Sequence, residues 1–421
     1  MRAQIAAVAI LLSLLVTAAA HAQPLPAAKP EQVGLSSERL GRIVTTLKTD
    51  VDKGVIPGAV LLVARHGKVA LFEAVGVRDP ETKAPMTKDA IFRIYSMTKP
   101  ITSVVTMALF EDGKLMLDQP VSRHLPALGG LKVGVEKDGA LALVPARRDM
   151  TIQDLLRHTS GLTYGFFGSG LVKKAYVEAG PSNDFPSNAE LVERLAKLPL
   201  MHQPGTTWEY SYSTDVLGRV VEVVGGGSLL SVMKERVLDP LGMKDTSFFV
   251  TDRPRQERIV EPFPNDRTIG VDATFFDPRV PQKWESGGGG LVSTAMDYAR
   301  FAQMLLNGGT LDGKRILGPK TIAYMAADHL GAVIVPGSAY LPGPGFTFGL
   351  GFGVRKDAGL SPVAGSVGEL NWGGAGGTYF WVDPKEDLFV VYMMQSPKQR
   401  APYRAVLKDM VYAAITRPAG K

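Results

Sequence analysis

Strand-like sequence lies at both ends of this chain and helix-like sequence between, and that arrangement restricts the fold more than any other feature. Near the start, Ala59-Val60-Leu61-Leu62-Val63-Ala64, the turn His66-Gly67 and Val69-Ala70-Leu71-Phe72 read as a β-hairpin. Both of its faces are largely apolar, which calls for a sheet covered by helices. Strand signals return only in the last third, at Phe346 to Val354 and in the pair Thr378 to Val382 and Leu388 to Met393, joined by Asp383-Pro384-Lys385-Glu386-Asp387. The middle reads as mostly helical: Thr151 to Arg157, a helix opened by the capping box Ser187-x-x-Glu190, Thr214 to Val224 and Ser228 to Val237. Further helices start at Ser36-Ser37-Glu38, at Thr294 and around Ala401. An N-terminal strand pair completed by C-terminal strands implies a discontinuous α/β body with a helical insertion. The expected limits are one domain over 33–413, with its body at about 33–110 and 285–413 and its insertion at about 111–284.

The first residues predict a compartment. Arg2, an apolar run from Ile5 to Val16, and Ala20-His21-Ala22 before Gln23-Pro24 read as a secretory signal peptide cut after Ala22. The run is short of the roughly 20 apolar residues that span a bilayer, so a cleaved leader is expected rather than an anchor. A periplasmic or secreted protein follows. The chain has no cysteine, which excludes a disulfide framework, a thiol nucleophile, cysteine-based metal sites and a lipid-anchored cysteine. Its hydrophobic content of 45% leaves stability to a packed core. The net charge of +6 is dispersed, with only short pairs such as Arg147-Arg148 and Lys173-Lys174, and gives no footprint for nucleic acid. No His or carboxylate cluster has metal-ligand spacing, so neither metal nor cofactor is expected.

Ser96-Met97-Thr98-Lys99 carries the chemistry. It lies where the strand-like run Ala90 to Tyr95 gives way to the apolar helical segment Ile101 to Phe110. Positions i and i+3 share a helix face, so the Lys99 amine can reach the Ser96 oxygen and take its proton. A serine at a helix N-terminus also sits where unpaired backbone N–H groups stabilise an oxyanion. Pro100 is tolerated because it lies in the first turn. A second copy, Ser231-Val232-Met233-Lys234, follows Gly225-Gly226-Gly227 and runs into Glu235-Arg236, which reads as the solvated face of a surface helix.

His66, His124, His158, His202 and His329 lie in no triad motif, and no Gly-x-Ser-x-Gly elbow occurs, which argues against an α/β-hydrolase. Two further segments stand out: Trp208 to Gly218, with Tyr210 just before a helix, and the Gly-rich strand Trp372-Gly373-Gly374-Ala375-Gly376-Gly377-Thr378. Ser96-x-x-Lys99, Tyr210 and Trp372-Gly373-Gly374, in this order and widely separated, resemble the three motifs of the serine β-lactamase and penicillin-binding superfamily. Leu155 to Leu162, Pro204-Gly205-Thr206 and Pro240-Leu241-Gly242-Met243 resemble its accessory stretches. The resemblance implies an antiparallel sheet flanked by N- and C-terminal helices. It makes Ser96 the acylated nucleophile, and Lys99 and Tyr210 a coupled pair that takes its proton and later delivers it to the leaving group. The backbone N–H groups of Ser96 and Ala375 would form the oxyanion hole.

Two departures narrow the resemblance. The third-motif strand usually carries Lys or His, then Thr or Ser, then Gly; here Trp372 and Gly373 replace the polar surface for a substrate carboxylate. Tyr212 stands where Asn usually follows the tyrosine. With the spacing Tyr-Ser-x-x-x-Asp-Val-Leu-Gly, these resemble the family VIII carboxylesterases. The implied activity is cleavage of short-chain carboxylic esters, with Tyr212, Trp372, Gly373 and Gly374 against a small-molecule ester. A β-lactamase, a D-alanyl-D-alanine carboxypeptidase and a non-catalytic wall-binding protein stay open as alternatives. Tyr164, Phe166 and Phe167 read as pocket wall and His158 as a loop-orienting residue. Gly287 to Gly290 reads equally as a site border or a close turn, and Gly308-x-x-x-x-Gly313-Lys314 as a helix end.

Overall fold

The computed structural model describes residues 24–270, 273–332, 334–337 and 340–419; the leader read at residues 1–22 lies outside them. Strands β1 (Gly58–Arg65), β2 (Lys68–Asp79) and β3 (Ala84–Pro85) come from the first part of the chain. Strands β4 (Phe346–Phe348), β5 (Gly353–Arg355), β6 (Leu370–Gly373), β7 (Tyr379–Asp383) and β8 (Leu388–Met394) come from the last part. They form one eight-stranded sheet in the order β4-β5-β6-β7-β8-β1-β2-β3, antiparallel throughout. The two parts meet at β1 and β8, where Leu62 pairs with Val391 and Val63 with Val390.

Five helices matter here: α1 (Ser37–Asp52), α2 (Thr98–Glu111), α3 (Ser213–Gly225), α4 (Ala295–Leu306) and α5 (Arg400–Ala413). Every residue of β1 is buried. Its period of two sends Val60, Leu62 and Ala64 to the face covered by α2 and α4, and Ala59, Leu61 and Val63 to the face covered by α1 and α5. Leu40, Ile43 and Leu47 of α1 meet that second face beside Tyr403, Leu407 and Val411 of α5. The hydroxyl of Ser36 caps α1 by accepting from the Arg39 N–H, and Thr294 caps α4 in the same way through Asp297. No single helix among the described residues is long and apolar enough to cross a membrane.

Phe346 to Val354, read as sheet, supplies two of its strands, β4 and β5, folded back on each other through residues 349–352. Gly351 takes φ 104°, which ends the extended run where the apolar pattern alone continued it. The helical middle also contains a β-hairpin, Lys132–Lys137 with Ala140–Pro145. Its turn is Asp138-Gly139, both with positive φ, a dipeptide well suited to a two-residue hairpin turn.

Candidate active site

Ser96 is delivered by a strained elbow. Phe92–Arg93 pairs with Val292–Ser293, and the chain then enters a 3₁₀ turn, Tyr95–Met97, through Tyr95 at φ 44°. A bulky residue with positive φ persists only where its surroundings fix it. Here the Tyr95 ring meets Phe275 and Phe276 edge-on, and the Arg93 guanidinium donates to the carbonyls of Phe276 and Val260. α2 continues from Thr98, so Ser96 stands just ahead of the helix that carries Lys99.

Three predicted residues converge on one oxygen. The Tyr210 hydroxyl donates to Ser96 Oγ at 2.7 Å, and Lys99 Nζ lies 3.4 Å from the same atom. The amine sits 4.4 Å from the centroid of the Tyr210 ring. It donates to the Gly288 carbonyl at 2.7 Å and lies 3.4 Å from the Tyr164 hydroxyl. Tyr164 donates in turn to Asp215 Oδ2 at 3.2 Å, while Ser286 Oγ and the Gly288 N–H donate to Asp215 Oδ1 at 2.5 and 3.1 Å. Burial pushes the Asp215 carboxyl above its ordinary value, against the Lys99 charge and these hydrogen bonds. Burial, followed by Asp215, raises the Tyr164 phenol well above its own. The Gly287 to Gly290 run borders the site, and a side chain on Gly288 would begin 2.5 Å from Asp215 Oδ2, so only bare backbone fits at that position.

Ala375 lines the same cavity as Ser96, and so does Tyr212, whose phenol is pushed up to about 12 by burial. Trp372, Gly373 and Gly374 are placed differently from the substrate wall that the motif suggested. Trp372 is 6% exposed. Its indole lies behind Tyr210, meeting the rings of Tyr210 and Phe348 and donating from Nε1 to the Tyr210 hydroxyl at 3.4 Å. Gly373 faces Arg404 of α5: a Cβ there would lie 2.3 Å from Nη2. Arg404 donates to the Gly374 carbonyl at 2.9 Å and covers the Tyr379 ring. The strand therefore contributes support beneath Tyr210 and the Ala375 N–H rather than cavity wall.

The cavity over Ser96 has a volume of about 610 Å³. Tyr164, Phe166 and Phe167 wall it on one side and Phe249, Phe275 and Phe276 on another. Among the described lining residues Lys99 is the only cationic side chain. No group of three or more His, Asp or Glu among the described residues is placed to hold a metal.

The remaining candidates fall outside the chemistry. His158 is fully buried, with its ring against Tyr210, and burial followed by the Lys99 charge holds its imidazole well below the usual value. It stays neutral and supports the tyrosine. Ser231 and Lys234 are both exposed, and the Ser231 hydroxyl donates to the Ser228 carbonyl. Gly308 ends α4 and Gly313 turns a short hairpin. Ser286 and Arg404 had no role in the sequence reading, and Asp215 entered it only through the spacing Tyr-Ser-x-x-x-Asp-Val-Leu-Gly, with no role given to its side chain.

A sequence profile for the Beta-lactamase family matches residues 43–412. Protein Rv1367c of Mycobacterium tuberculosis is 39% identical over 355 residues, covering 82% of this chain and 87% of the relative. Esterase EstB of Burkholderia gladioli is 34% identical over 382 residues, covering 85% of this chain and 91% of the relative. Among solved structures, EstCE1, described as a hydrolase with promiscuous acyltransferase activity, superposes with a TM-score of 0.75 at 29% identity, covering 90% of this chain and 99% of that one.

Proposed function

We propose that this chain, which belongs to the Beta-lactamase family, hydrolyses neutral carboxylic esters with short acyl chains through an acyl-enzyme on Ser96. One observation carries the reading: the cavity over Ser96 is walled by aromatic rings, and its only described cation, Lys99, is held in the hydrogen bonds beside the nucleophile. A substrate carboxylate would be buried there without a free cation to pair with, which is costly, whereas an apolar ester gains by covering the rings. The similarity to EstB and EstCE1 supports the same class.

In the proposed reaction, Lys99 and Tyr210 together take the Ser96 proton as Oγ attacks the ester carbonyl. The N–H groups of Ser96 and Ala375 stabilise the oxyanion. Tyr210, within hydrogen-bond reach of the reacting oxygen, protonates the departing alkoxide. Water then repeats the sequence on the acyl-enzyme and frees the acid.

Side-by-side kinetics on p-nitrophenyl butyrate and a chromogenic cephalosporin test this reading. The expected result is a kcat/KM for the ester that exceeds the cephalosporin value by orders of magnitude. Dominant cephalosporin turnover would make the protein a β-lactamase, and inertness on both with retained muropeptide binding would make it a binding module.

A further inference from the structure

Lys99 can act as a base only when neutral, with two N–H bonds and one lone pair. Its surroundings decide where that lone pair points. The Gly288 carbonyl, at 2.7 Å, can only accept, so it takes one N–H. The Tyr164 hydroxyl, at 3.4 Å, has a single proton, and Asp215 Oδ2 takes it at 3.2 Å. The Ser286 hydroxyl and the Gly288 N–H on the other Asp215 oxygen, with the Lys99 charge nearby, favour the ionised carboxylate against its burial, and as a carboxylate Asp215 can only accept. The Tyr164 oxygen therefore presents a lone pair to the amine and takes the second N–H. Ser96 Oγ, also 3.4 Å away, is the neighbour left for the nitrogen lone pair.

We propose that Tyr164 and Asp215 are positioning residues for proton abstraction, which turn the neutral Lys99 amine so that its lone pair faces Ser96. The proposal rests on Lys99 acting as the base. The same acceptors serve the opposite step, since an ammonium keeps both bonds and aims its third proton at Ser96 Oγ. Four other polar or titratable groups meet this cluster: Tyr210 and Tyr212 from the segment before α3, the latter with its ring 4.5 Å from that of Tyr164 and its phenol raised by burial, His158, held neutral by burial, and Ser286 on the Asp215 side. Asp215 is thus the anion that balances a Lys99 ammonium.

The test compares Tyr164→Phe, Asp215→Asn and Lys99→Ala with the wild type, by kcat, KM and the pH profile of kcat/KM on p-nitrophenyl butyrate. Tyr164→Phe should lower kcat by about 10- to 100-fold, the range for one lost orienting hydrogen bond, with KM nearly unchanged. Asp215→Asn removes a buried negative charge and so disfavours the ammonium. The acid limb of its profile should move to lower pH by about one unit or more, which a purely structural role would not produce. If Asp215→Asn does not fold, the Tyr164→Phe rate alone decides. Wild-type kcat in Tyr164→Phe, or an unmoved acid limb in a folded Asp215→Asn, overturns the positioning role. Retained activity in Lys99→Ala overturns the underlying base assignment instead, so the two failures are distinguishable.

Discussion

Tyr210→Phe separates proton delivery from mere packing. The substitution removes one oxygen, which donates to Ser96 Oγ at 2.7 Å and accepts from Trp372 Nε1 at 3.4 Å. The ring keeps its neighbours, with centroids 4.9 Å from His158, 5.4 Å from Tyr164 and 5.6 Å from Trp372. The folding cost is therefore confined to a long hydrogen bond from a buried indole N–H, about 1 kcal/mol. General acid–base catalysis contributes roughly 10²- to 10⁴-fold, or about 3 to 5 kcal/mol of barrier, so the kinetic loss should far exceed the thermal one. Two butyrate esters make the assay specific, because p-nitrophenolate departs without a proton and ethoxide does not. With ethyl butyrate kcat should fall by about 10³-fold, with p-nitrophenyl butyrate by clearly less, and KM should change little in both. In a Lys99→Ala background the substitution should add almost nothing, because groups acting as one unit are non-additive. Equal losses on the two esters, or full additivity with Lys99→Ala, would refute a shared proton delivered by Tyr210.

Ser96→Ala should abolish turnover and labelling by a fluorophosphonate, whereas Ser231→Ala, on an exposed surface, should leave both intact and change stability by under about 0.5 kcal/mol; an adduct mapped to Ser231 would reverse the assignment. Burial pushes the Asp297 carboxyl up to about 6. Its unfolded value is about 3.9, so the native state holds an extra proton between these values, and stability present below pH 4 is lost as pH rises through 6, by about 3 kcal/mol. Urea unfolding of Asp297→Asn against wild type at pH 4 and pH 7 should show the variant gaining that amount relative to wild type. A difference that does not vary with pH would show that Asp297 is not protonated in this window.

Readings that rest on neighbours in sequence hold best. The apolar run of β1 announces a strand buried on both faces, and Ser36, Thr151, Ser187 and Thr294 all accept from the backbone N–H three residues on. Ser96 and Lys99 are three residues apart, so their contact needed only local geometry. Tyr210 came from the order of the motifs, and its reach to Ser96 is a tertiary fact. The Asp215 network was not legible because its partners Ser286 and Gly288 lie 71 and 73 residues away and Tyr164 lies 51 away. The hairpin at Lys132–Pro145 was a different kind of miss, since Asp138-Gly139 marks its turn and was passed over among the connections of a middle read as mostly helical.

The third-motif strand shows why a residue's type and its facing must be argued separately. An indole at Trp372 suggested an aromatic wall against which a carboxylate would be stranded. Burial turns that indole behind Tyr210, where its N–H holds the phenol and its rings fill the space beside Phe348. An ammonium introduced at Trp372 would enter the same interior, close to Tyr210 and the Lys99 amine beside it, rather than the cavity. Nor does the cation over this strand supply an anion site: Arg404 fills the space over Gly373, engages the Gly374 carbonyl and lies on the Tyr379 ring. A hydroxyl-bearing residue at Gly373 would have to displace that guanidinium, since its Cβ would start 2.3 Å from Nη2. The proposed preference for neutral esters therefore rests on the rings lining the cavity and on the pairing of Gly373 with Arg404, while Trp372 keeps the tyrosine in place.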